Sequence, residues 1–394
     1  MKIKIEELAL QRSKYKHLSD EEWRWFLQQV EGRERTADKL PTFAAIEDWW
    51  YPVRLSCEQC SSELTARYKA SLVESQQSKD KSHFVDLTGG YGVDTYFLSE
   101  HFEHTDYVEQ NAELCRIAEH NFSLQKSAIS IQNCTAEEFL KTAGQYDLIF
   151  LDPARRDSHG GKVFRLEDCT PNVVELLPTL LQHGKRLLLK LSPMLDITQA
   201  VKELSAISIQ HSDFIVQWSV FVVAVKNEVK EVLLLSHQDS EVSIQTITAI
   251  DLDKKDQAFV FTREEEHEAV FSDQCSGFSF LYEPNAAILK AGAYKLVAQR
   301  FGLQKLDVNT HLYASDRLIE NFPGRVWEVK VKGERLEVKG QANVLTRNYP
   351  LTPEQLKKKL HLRDGGTAYV IGCRVNGKPT LFFAERIENI HTEG

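Results

Sequence analysis

A glycine-rich segment at residues 84–95 carries side chains suited to holding a charged ligand. It reads FVDLTGGYGVDT, with a predicted strand that ends at Asp86 and a predicted helix that begins at Val93. Glycines at such a turn let a ligand approach the backbone closely, and the amides that open the helix favour a negative group. The carboxylate of Asp86 can face a cationic group. The segment's chemistry-bearing residues are Asp86, Thr88, Gly89, Gly90, Gly92 and Asp94.

Two further carboxylates follow later predicted strands. Glu109 ends the second strand, where a carboxylate can accept hydrogen bonds from both hydroxyls of a ribose. Asp152-Pro153 ends the fourth strand, at the edge where open α/β sheets bind ligands. The dinucleotide fingerprint G-x-G-x-x-G is absent, because Thr95 stands where its third glycine would be. A ribose-containing ligand is therefore expected, although Glu109 alone does not separate a nicotinamide cofactor from others.

Short β-rich runs alternate with helical runs after residue 82. The predicted strands are 83–87, 106–109, 129–132, 146–151 and 186–191; the predicted helices are 93–101, 112–124, 136–141, 171–181 and one from about 196. Such alternation requires parallel strands joined by right-handed helical crossovers. The runs 214–226 and 229–236, with a turn at Asn227-Glu228, are predicted to form an antiparallel hairpin at the sheet edge. The fold class is therefore α/β, with a Rossmann-like doubly wound sheet.

We predict four parts along the chain: a helical region at 1–80, the doubly wound domain at 81–240, a connecting segment at 241–323 and a small α+β domain at 324–394. The other helical predictions are 58–74, 281–302 and 353–360, with a polar segment at 307–316. Strands are expected at 326–331, 336–338, 367–374 and 380–385, and Asn376-Gly377 is a hairpin signal between the last two.

Composition narrows the class of protein. The chain has 394 residues, 42% hydrophobic and 27% charged, which is ordinary for a protein with a sizeable core. Its net charge is −9, yet residues 325–386 hold 13 Lys and Arg against 6 Asp and Glu. A basic part on an acidic body fits docking of a polyanion. Without a membrane-length apolar stretch or a signal peptide, we expect a cytoplasmic protein.

The cysteines do not indicate a metal site or a disulfide framework. There are seven, at irregular spacing. Cys57-x-x-Cys60 is the pair closest to a metal-binding pattern, but no second pair has matching spacing. We therefore expect reduced thiols and no metal.

Three motifs together resemble those of class I RNA methyltransferases. They are DLTGGYGVDT at 86–95, YVEQN at 107–111 and LDPARR at 151–156. The resemblance implies S-adenosylmethionine as the cofactor, with adenine beside Thr135 and Ala136. It also implies that Asp152 positions the methyl acceptor and that Pro153 shapes the loop, as in the D/N-P-P-Y/F motif of base amino-methyltransferases. The implied cofactor-binding residues are Asp86, Thr88, Gly89, Gly90, Gly92, Asp94, Glu109, Thr135 and Ala136.

The fourth-strand motif departs from that pattern. Ala154 and Arg155 replace the second proline and the base-stacking aromatic residue. The run D-P-A-R at 152–155 also resembles the D-P-P-R motif of uracil-C5 RNA methyltransferases, but those enzymes use a cysteine nucleophile where this chain has Ser192. A serine hydroxyl is far less acidic and less nucleophilic than a thiol, which disfavours C5 methylation. The residues alone leave the acceptor open, and it is the resemblance to base amino-methyltransferases that implies a base nitrogen.

Longer motifs outside the sheet resemble the bacterial methyltransferase family with a THUMP-like C-terminal domain and a ferredoxin-like segment before it. They are EQCSSELTARYK at 58–69, LYEPNAAILKAGA at 281–293 and RNYPLTPEQLKKKLHLRDGG at 347–366. This resemblance implies an RNA substrate, tRNA or rRNA. The basic residues expected to contact it are Arg155, Arg156, Lys357, Lys358 and Arg363.

Two other functions stay open from the residues alone. One is methylation of a small molecule or a protein. The other is an RNA-binding protein that keeps the cofactor pocket without catalysis, which the missing aromatic residue after Asp152-Pro153 allows.

Overall fold

The computed structural model describes residues 8, 10–74, 82–124, 129–155, 165–211, 216–237, 245–253, 258–272, 275, 277–334, 338 and 340–387. The chain forms two compact units. The first contains Met1–Trp218 and Leu233–Ser243, and the second contains Ser219–Val232 and Ile244–Gly394. None of the described helices is both long enough and apolar enough to span a membrane.

The N-terminal part of the first unit contains four α-helices in its described residues: α1 (Asp20–Thr36), α2 (Pro41–Ala45), α3 (Arg54–Gln59) and α4 (Glu63–Glu74). Helix α1 begins with a capping box, in which the Ser19 hydroxyl accepts from the Glu22 amide and the Glu22 carboxylate accepts from the Ser19 amide. The prediction of one helix over 58–74 was wrong. Cys60 has extended backbone, which ends α3 before α4 begins.

A parallel sheet forms the centre of the first unit. Its strands and the short strands beside them are β1 (His83–Asp86), β2 (His104–Val108), β3 (Ile129–Gln132), β4 (Leu148–Leu151), β5 (Ala154–Arg155), β6 (Cys169–Thr170) and β7 (Leu187–Leu191). The order is β7-β4-β1-β2-β3, and each neighbouring pair is parallel. Every residue of β4 is buried, as a strand covered on both faces requires.

Helices follow these strands in the order that the sequence predicts: α5 (Val93–Ser99), α6 (Ala112–Leu124), α7 (Ala136–Leu140), α8 (Val173–His183) and α9 (Ile197–His211). The strands β5 and β6 pair antiparallel, although the sequence predicts only a loop between 153 and 169. The observed elements confirm an α/β fold.

A hairpin follows, formed by β8 (Gln217–Val225) and β9 (Glu228–His237). Lys226 and Asn227 join the two strands with φ of 54° and 61°, the left-handed values of a two-residue hairpin turn. The hairpin is confirmed, and its turn lies one residue earlier than predicted because Glu228 already belongs to β9. The prediction that the hairpin forms the sheet edge was wrong, because the strand Ile247–Asp251 pairs with β8 on its other side.

The second unit contains most of β8, the first half of β9 and two further strands, β10 (Ile247–Asp251) and β11 (Phe259–Phe261). It also contains a seven-stranded sheet of β12 (Phe280–Pro284), β13 (Gln304–Asp307), β14 (Thr310–Ser315), β15 (Gly324–Gly333), β16 (Asn343–Arg347), β17 (Ala368–Val375) and β18 (Lys378–Ile387). The order is β13-β14-β12-β15-β18-β17-β16. The unit's helices are α10 (Arg263–Glu268), α11 (Ala286–Ala291), α12 (Tyr294–Phe301) and α13 (Pro353–Lys359).

Two predictions for the second unit were wrong. The run 281–302 is not helical throughout, because its first residues form β12 and Asn285 then caps α11 by accepting from the Ile288 amide. The polar run 307–316 contains all of β14, in which five of the six residues are buried. The sequence also missed β16, and residues 336 and 337 of a predicted strand lie outside the described residues. The Asn376-Gly377 turn is confirmed, with φ of 48° and 80°.

Candidate active site

A cavity of about 430 Å³ opens at the carboxyl ends of β1, β2 and β4. Its walls come from the glycine-rich turn, from the residues that follow these strands and from the α3–α4 connection. The lining includes Ser61, Asp86, Thr88, Gly89, Gly90, Asp94, Glu109, Thr135, Ala136 and Asp152. The structure therefore brings together, in one cavity, most of the site residues that the sequence singled out, with Gly92 and Pro153 adjoining it in the chain.

The glycine-rich turn packs directly on β2. A Cβ atom at Gly89 would lie 2.2 Å from the Tyr107 ring, a separation that no side chain tolerates. Gly92 precedes helix α5 with φ of 83°, a left-handed conformation that favours glycine. The Tyr107 hydroxyl donates to the Gly90 carbonyl at 2.6 Å. These contacts fix the turn from behind and leave its other side facing the cavity.

Glu109 is held by the backbone on either side of the cavity mouth. One carboxylate oxygen accepts from the Gly90 amide at 2.9 Å, and the other accepts from the Asn111 amide at 2.7 Å. Each oxygen keeps a second lone pair for a further donor. The carboxylate is thus fixed in place and can still accept two hydroxyl groups.

Asp86 is a buried carboxylate that accepts hydrogen bonds from two threonines. One of its oxygens accepts from the Thr95 hydroxyl at 2.6 Å, and the other accepts from the Thr88 amide at 2.9 Å. Burial, with smaller contributions from the charges of Asp94 and Asp152, raises the pKa of Asp86 to about 7, against the lowering effect of its hydrogen bonds. This carboxyl group is therefore poised to change its charge near neutral pH.

Asp152 is held at both its backbone and its side chain. Its amide donates to the Thr88 hydroxyl at 2.7 Å. Its carboxylate accepts from Lys190 Nζ at 2.5 Å, and the Lys190 side chain is only 13% exposed. Lys190 reaches this point from β7, the strand next to β4. The cavity therefore presents a paired carboxylate rather than an isolated one.

Asp94 belongs to a second, deeper set of charges. Its carboxylate lies 3.2 Å from Lys69 Nζ, which is completely buried, and 3.9 Å from Lys190 Nζ. The Ser61 hydroxyl donates to it at 2.6 Å. Burial raises the pKa of Asp94, but the two ammonium groups and the Ser61 bond outweigh that effect, so the pKa is lowered overall. Helix α4 thus places a buried cation against Asp94, which lines the cavity.

Comparison with known proteins places this architecture in a family. A model described as a ferredoxin-like domain matches residues 280–323, and one described as THUMP domain-like matches residues 317–386. The crystal structure of a Porphyromonas gingivalis W83 protein assigned to the methyltransferases is 32% identical, with a TM-score of 0.80, and the match covers 94% of this chain and 92% of that one. The chain belongs to the class I S-adenosylmethionine-dependent methyltransferases with a THUMP-like C-terminal domain.

Other solved structures resemble only part of this methyltransferase. An S-adenosylmethionine-dependent methyltransferase from Agrobacterium tumefaciens is 16% identical, with a TM-score of 0.33, over 44% of this chain and 60% of its own. A Streptococcus mutans protein assigned to the methyltransferases, in complex with SAH, is 12% identical, with a TM-score of 0.33, over 44% of this chain and 96% of its own. No curated protein matches the chain.

The cavity of the methyltransferase has the chemistry that S-adenosylmethionine requires. Its volume lies in the range of pockets that enclose small cofactors. The fixed Glu109 carboxylate has free lone pairs for ribose hydroxyls, and Asp86 offers negative charge when ionised. Thr135 and Ala136 line the cavity at the start of α7, where the Thr135 hydroxyl caps the helix by accepting from the Glu138 amide. The residues present therefore fit the cofactor.

Sequence reasoning missed Lys69 and Lys190. A weak signal exists for Lys190, because it interrupts the apolar strand LLLKL of β7, and a charge in a buried strand needs a partner. For Lys69 the helical pattern gives no comparable signal. Its ion pair with Asp94 joins positions 25 residues apart in sequence, which only the fold reveals.

The predicted RNA-contacting residues lie in two places. Arg155 is part of β5, and Arg156 lies outside the described residues. In the second unit, Lys357 on α13 pairs with Asp364 at 2.6 Å, whereas Lys358, Lys359 and Arg363 are exposed.

Cys57 and Cys60 show no sign of metal binding in the part of the chain that the structure describes, where no group of three or more His, Cys, Asp and Glu side chains could hold an ion. Burial raises the pKa of Cys57 to about 12, and the Cys57 thiol donates to the Pro52 carbonyl at 3.4 Å. Cys57 is buried in the helical region, whereas Cys60 is partly buried and lines the cavity.

Proposed function

We propose that this methyltransferase acts on RNA, of the tRNA or rRNA class, and that its C-terminal domain docks the RNA. The THUMP-like match at residues 317–386 supports this proposal. Residues 325–386 hold 13 Lys and Arg against 6 Asp and Glu, although the whole chain has a net charge of −9. The exposed cations of α13 and its neighbour Arg363 can contact phosphates.

We assign the cofactor to the cavity at the carboxyl ends of β1, β2 and β4. Glu109 would accept the ribose hydroxyls, the amides that open α5 would face the carboxylate of the methionine part, and Thr135 and Ala136 would lie beside the adenine. Asp86 would face the cationic part of the molecule. When bound, S-adenosylmethionine supplies an electrophilic methyl group on a positively charged sulfur.

Asp152 is the residue that we assign to the methyl acceptor. Its backbone is fixed by Thr88 and its carboxylate by Lys190, so its position does not depend on the acceptor. Orienting an acceptor lone pair and excluding water can supply much of the rate enhancement of a direct transfer. The resemblance of Asp152-Pro153 to the motif of base amino-methyltransferases favours a base nitrogen as the acceptor. The position of the fixed Asp152 in the same cavity as Glu109 is the observation that carries the proposal.

The proposal is tested by transfer of a radiolabelled methyl group from S-adenosylmethionine to total RNA from cells that lack this protein. Wild type, Asp152→Ala and Asp168→Ala are compared, since Asp168 is an exposed aspartate in the 3₁₀ helix Leu166–Asp168. We expect label in RNA with wild type and Asp168→Ala and none with Asp152→Ala. Label in the protein or small-molecule fraction, with none in RNA of any size, would contradict the RNA proposal. Cofactor binding without any transfer would identify a non-catalytic protein.

A further inference from the structure

Two sequence motifs that lie outside the cofactor cavity meet at one cluster of charges in the second unit. The motif at 281–293 contains Glu283, and the motif at 347–366 begins with Arg347. Glu283 Oε1 accepts from Arg347 Nε at 2.6 Å, although 64 residues separate the two in sequence. The other carboxylate oxygen, Oε2, pairs with Arg325 Nη2. One carboxylate on β12 therefore holds two guanidinium groups, which come from β15 and β16.

The carboxylate of this cluster is buried, whereas its two arginines reach the surface. The Glu283 side chain is 3% exposed, and those of Arg325 and Arg347 are 26% and 38% exposed. Strands β12 and β15 approach so closely here that a Cβ atom at Gly324 would lie 2.0 Å from the Glu283 carbonyl oxygen. The backbone that carries the carboxylate is therefore fixed, and the carboxylate in turn fixes both guanidinium groups.

The charges of the cluster do not cancel. One carboxylate and two guanidinium groups leave one positive charge in excess. A buried carboxylate is neutralised by a single cation, so a second, partly exposed arginine is more than a structural ion pair requires. Excess positive charge at a fixed place on the surface attracts an anionic ligand.

Arg347 has the hydrogen-bond donors that such a ligand would use. Its Nε donates to Glu283, and its Nη1 donates to the Thr346 carbonyl at 2.9 Å. A guanidinium group has five N–H donors, so three remain beyond these two bonds to described residues. Planar arginine donors match the paired oxygens of a phosphate, and a guanidinium group that is already held loses little freedom on binding.

Arg325 is fixed on a second side as well. Its guanidinium carbon lies 5.7 Å from the ring centre of Trp327, which is completely buried. The face of an aromatic ring attracts a cation, so Trp327 adds to the hold of Glu283. Because Arg325 and Arg347 contact the same carboxylate, one phosphate can accept from both.

The cluster is also close along the chain to the basic helix α13. Strand β16 ends at Arg347 and α13 begins at Pro353, so at most about 20 Å of extended chain joins them. A nucleic-acid strand carries a phosphate about every 3.4 Å along its helix axis. A single strand can therefore contact this cluster and the exposed lysines of α13 together.

We propose that Arg325 and Arg347 bind a backbone phosphate of the RNA, and that Glu283 positions them for it. This inference rests on the proposed RNA methyltransferase function and adds a fixed phosphate site to the exposed lysines of α13. A phosphate contact sets the position of the RNA on the domain and does not depend on nucleotide sequence.

Substitution of Arg347 in the full-length protein tests the phosphate contact by filter binding to total tRNA and ribosomal RNA. We expect Arg347→Met to raise Kd roughly 10-fold and to lower the salt dependence of binding by about one counterion. Arg347→Lys should restore only part of the affinity, because an ammonium group lacks the planar donors that contact Glu283 and a phosphate together. The matched control is Arg374→Met, on β17 of the same sheet, where the arginine donates to the Gly377 carbonyl.

The outcomes separate this inference from the proposed function. An unchanged Kd and salt dependence for folded Arg347→Met, or equal losses for Arg374→Met, would overturn the phosphate site while RNA binding by wild type leaves the proposed function standing. No binding of either RNA by wild type would overturn both.

Glu283→Gln separates the positioning of the arginines from their charge. Removing a negative charge should by itself strengthen RNA binding. If Glu283 positions the arginines, the variant should instead bind RNA about threefold or more weakly than wild type. Tighter binding by the folded variant would overturn the positioning role. Should Glu283→Gln fail to fold, Arg325→Met is the second test, and an unchanged salt dependence in that variant would overturn the shared site.

Discussion

The charges of the cavity and those of helix α13 lie in opposite environments. In the cavity, Asp86 and Asp94 are 1% and 8% exposed, and each forms at least two hydrogen bonds or ion pairs. On α13, Lys358 and Lys359 are exposed to solvent, and Lys357 pairs with Asp364 on the surface. Both regions are rich in charge, but only the first holds it away from water.

The difference predicts how each region responds to substitution. Removing one member of a buried set leaves its partner uncompensated, so the effect is large and spreads to the neighbours. Removing an exposed charge changes little locally, and salt screens its long-range attraction. Substitutions in the cavity should therefore strongly reduce cofactor binding or methyl transfer. Substitutions on α13 should weaken RNA binding by small and additive amounts.

Asp152→Asn should produce the largest effect. The amide keeps the shape of the side chain but cannot take a proton from the acceptor, and it faces the Lys190 ammonium group with only one oxygen. We expect kcat to fall about 1000-fold, within the range for loss of a general base. The Kd of S-adenosylmethionine should stay within about threefold. Single-turnover kinetics and calorimetry measure the two quantities.

The control for this variant is Asp168→Asn, at an exposed position outside the cavity lining. It should retain the activity of wild type. If Asp152→Asn weakens cofactor binding as much as it slows transfer, Asp152 belongs to the cofactor site and not to the acceptor site.

Asp86 should make the stability of the first unit depend on pH. Its pKa is raised to about 7 from an ordinary value of 3.8, so the folded protein holds a proton that the unfolded chain releases. The stabilisation is complete below about pH 4 and is lost as the pH rises through 7, with a total on the order of 2–4 kcal/mol. Asp94 and Asp152 are the charged groups that act on it.

Urea unfolding of wild type and Asp86→Asn between pH 5 and pH 8 measures this dependence. The free energy of unfolding of wild type should fall relative to that of the variant as the pH rises. A difference between the two proteins that stays constant over this range would mean that Asp86 is ionised throughout.

Glu109→Gln should weaken cofactor binding without changing the rate of methyl transfer. Both oxygens of the Glu109 carboxylate accept a hydrogen bond from a backbone amide. In glutamine one of these oxygens is replaced by an NH₂ group, which is itself a donor and would face one of those amides. Hydrogen bonds to charged groups contribute about 1.5–3 kcal/mol, which corresponds to a rise in Kd of roughly 10- to 100-fold. At saturating cofactor kcat should be close to that of wild type. Glu113→Gln, on the exposed side of α6, is the matched control.

The side of the cavity that we propose holds the cofactor was largely predictable from sequence, because its residues follow strand ends within short motifs. Gly89, Gly92 and Glu109 stand where the chain turns, and local chemistry selects them. The side proposed to hold the acceptor was not, because Lys69 meets Asp94 only when α4 packs against α5, and Lys190 meets Asp152 only when β7 pairs with β4. Long-range ion pairs leave no periodic pattern in the sequence.

The secondary structure shows the same division. The strands of the first unit were predicted within a few residues, since βα alternation is a strong periodic signal. The short strands of the second unit were not, because β12 reads as the start of the helix that follows it. In β14, burial comes from its place between β12 and β13 and not from an apolar sequence.

The smallest effect is expected for substitutions on α13. There, RNA affinity should depend on whether a surface lysine is already in an ion pair. Lys358→Met should reduce RNA affinity about threefold at low salt and reduce the salt dependence of binding by about one counterion. Lys357→Met should have less effect, because the Lys357 ammonium group is already paired with Asp364 at 2.6 Å. Filter binding to total tRNA across a range of salt concentrations measures both slopes. Equal losses for the two lysines would show that RNA displaces Asp364, and unchanged slopes for both would place the docking surface elsewhere in the C-terminal domain.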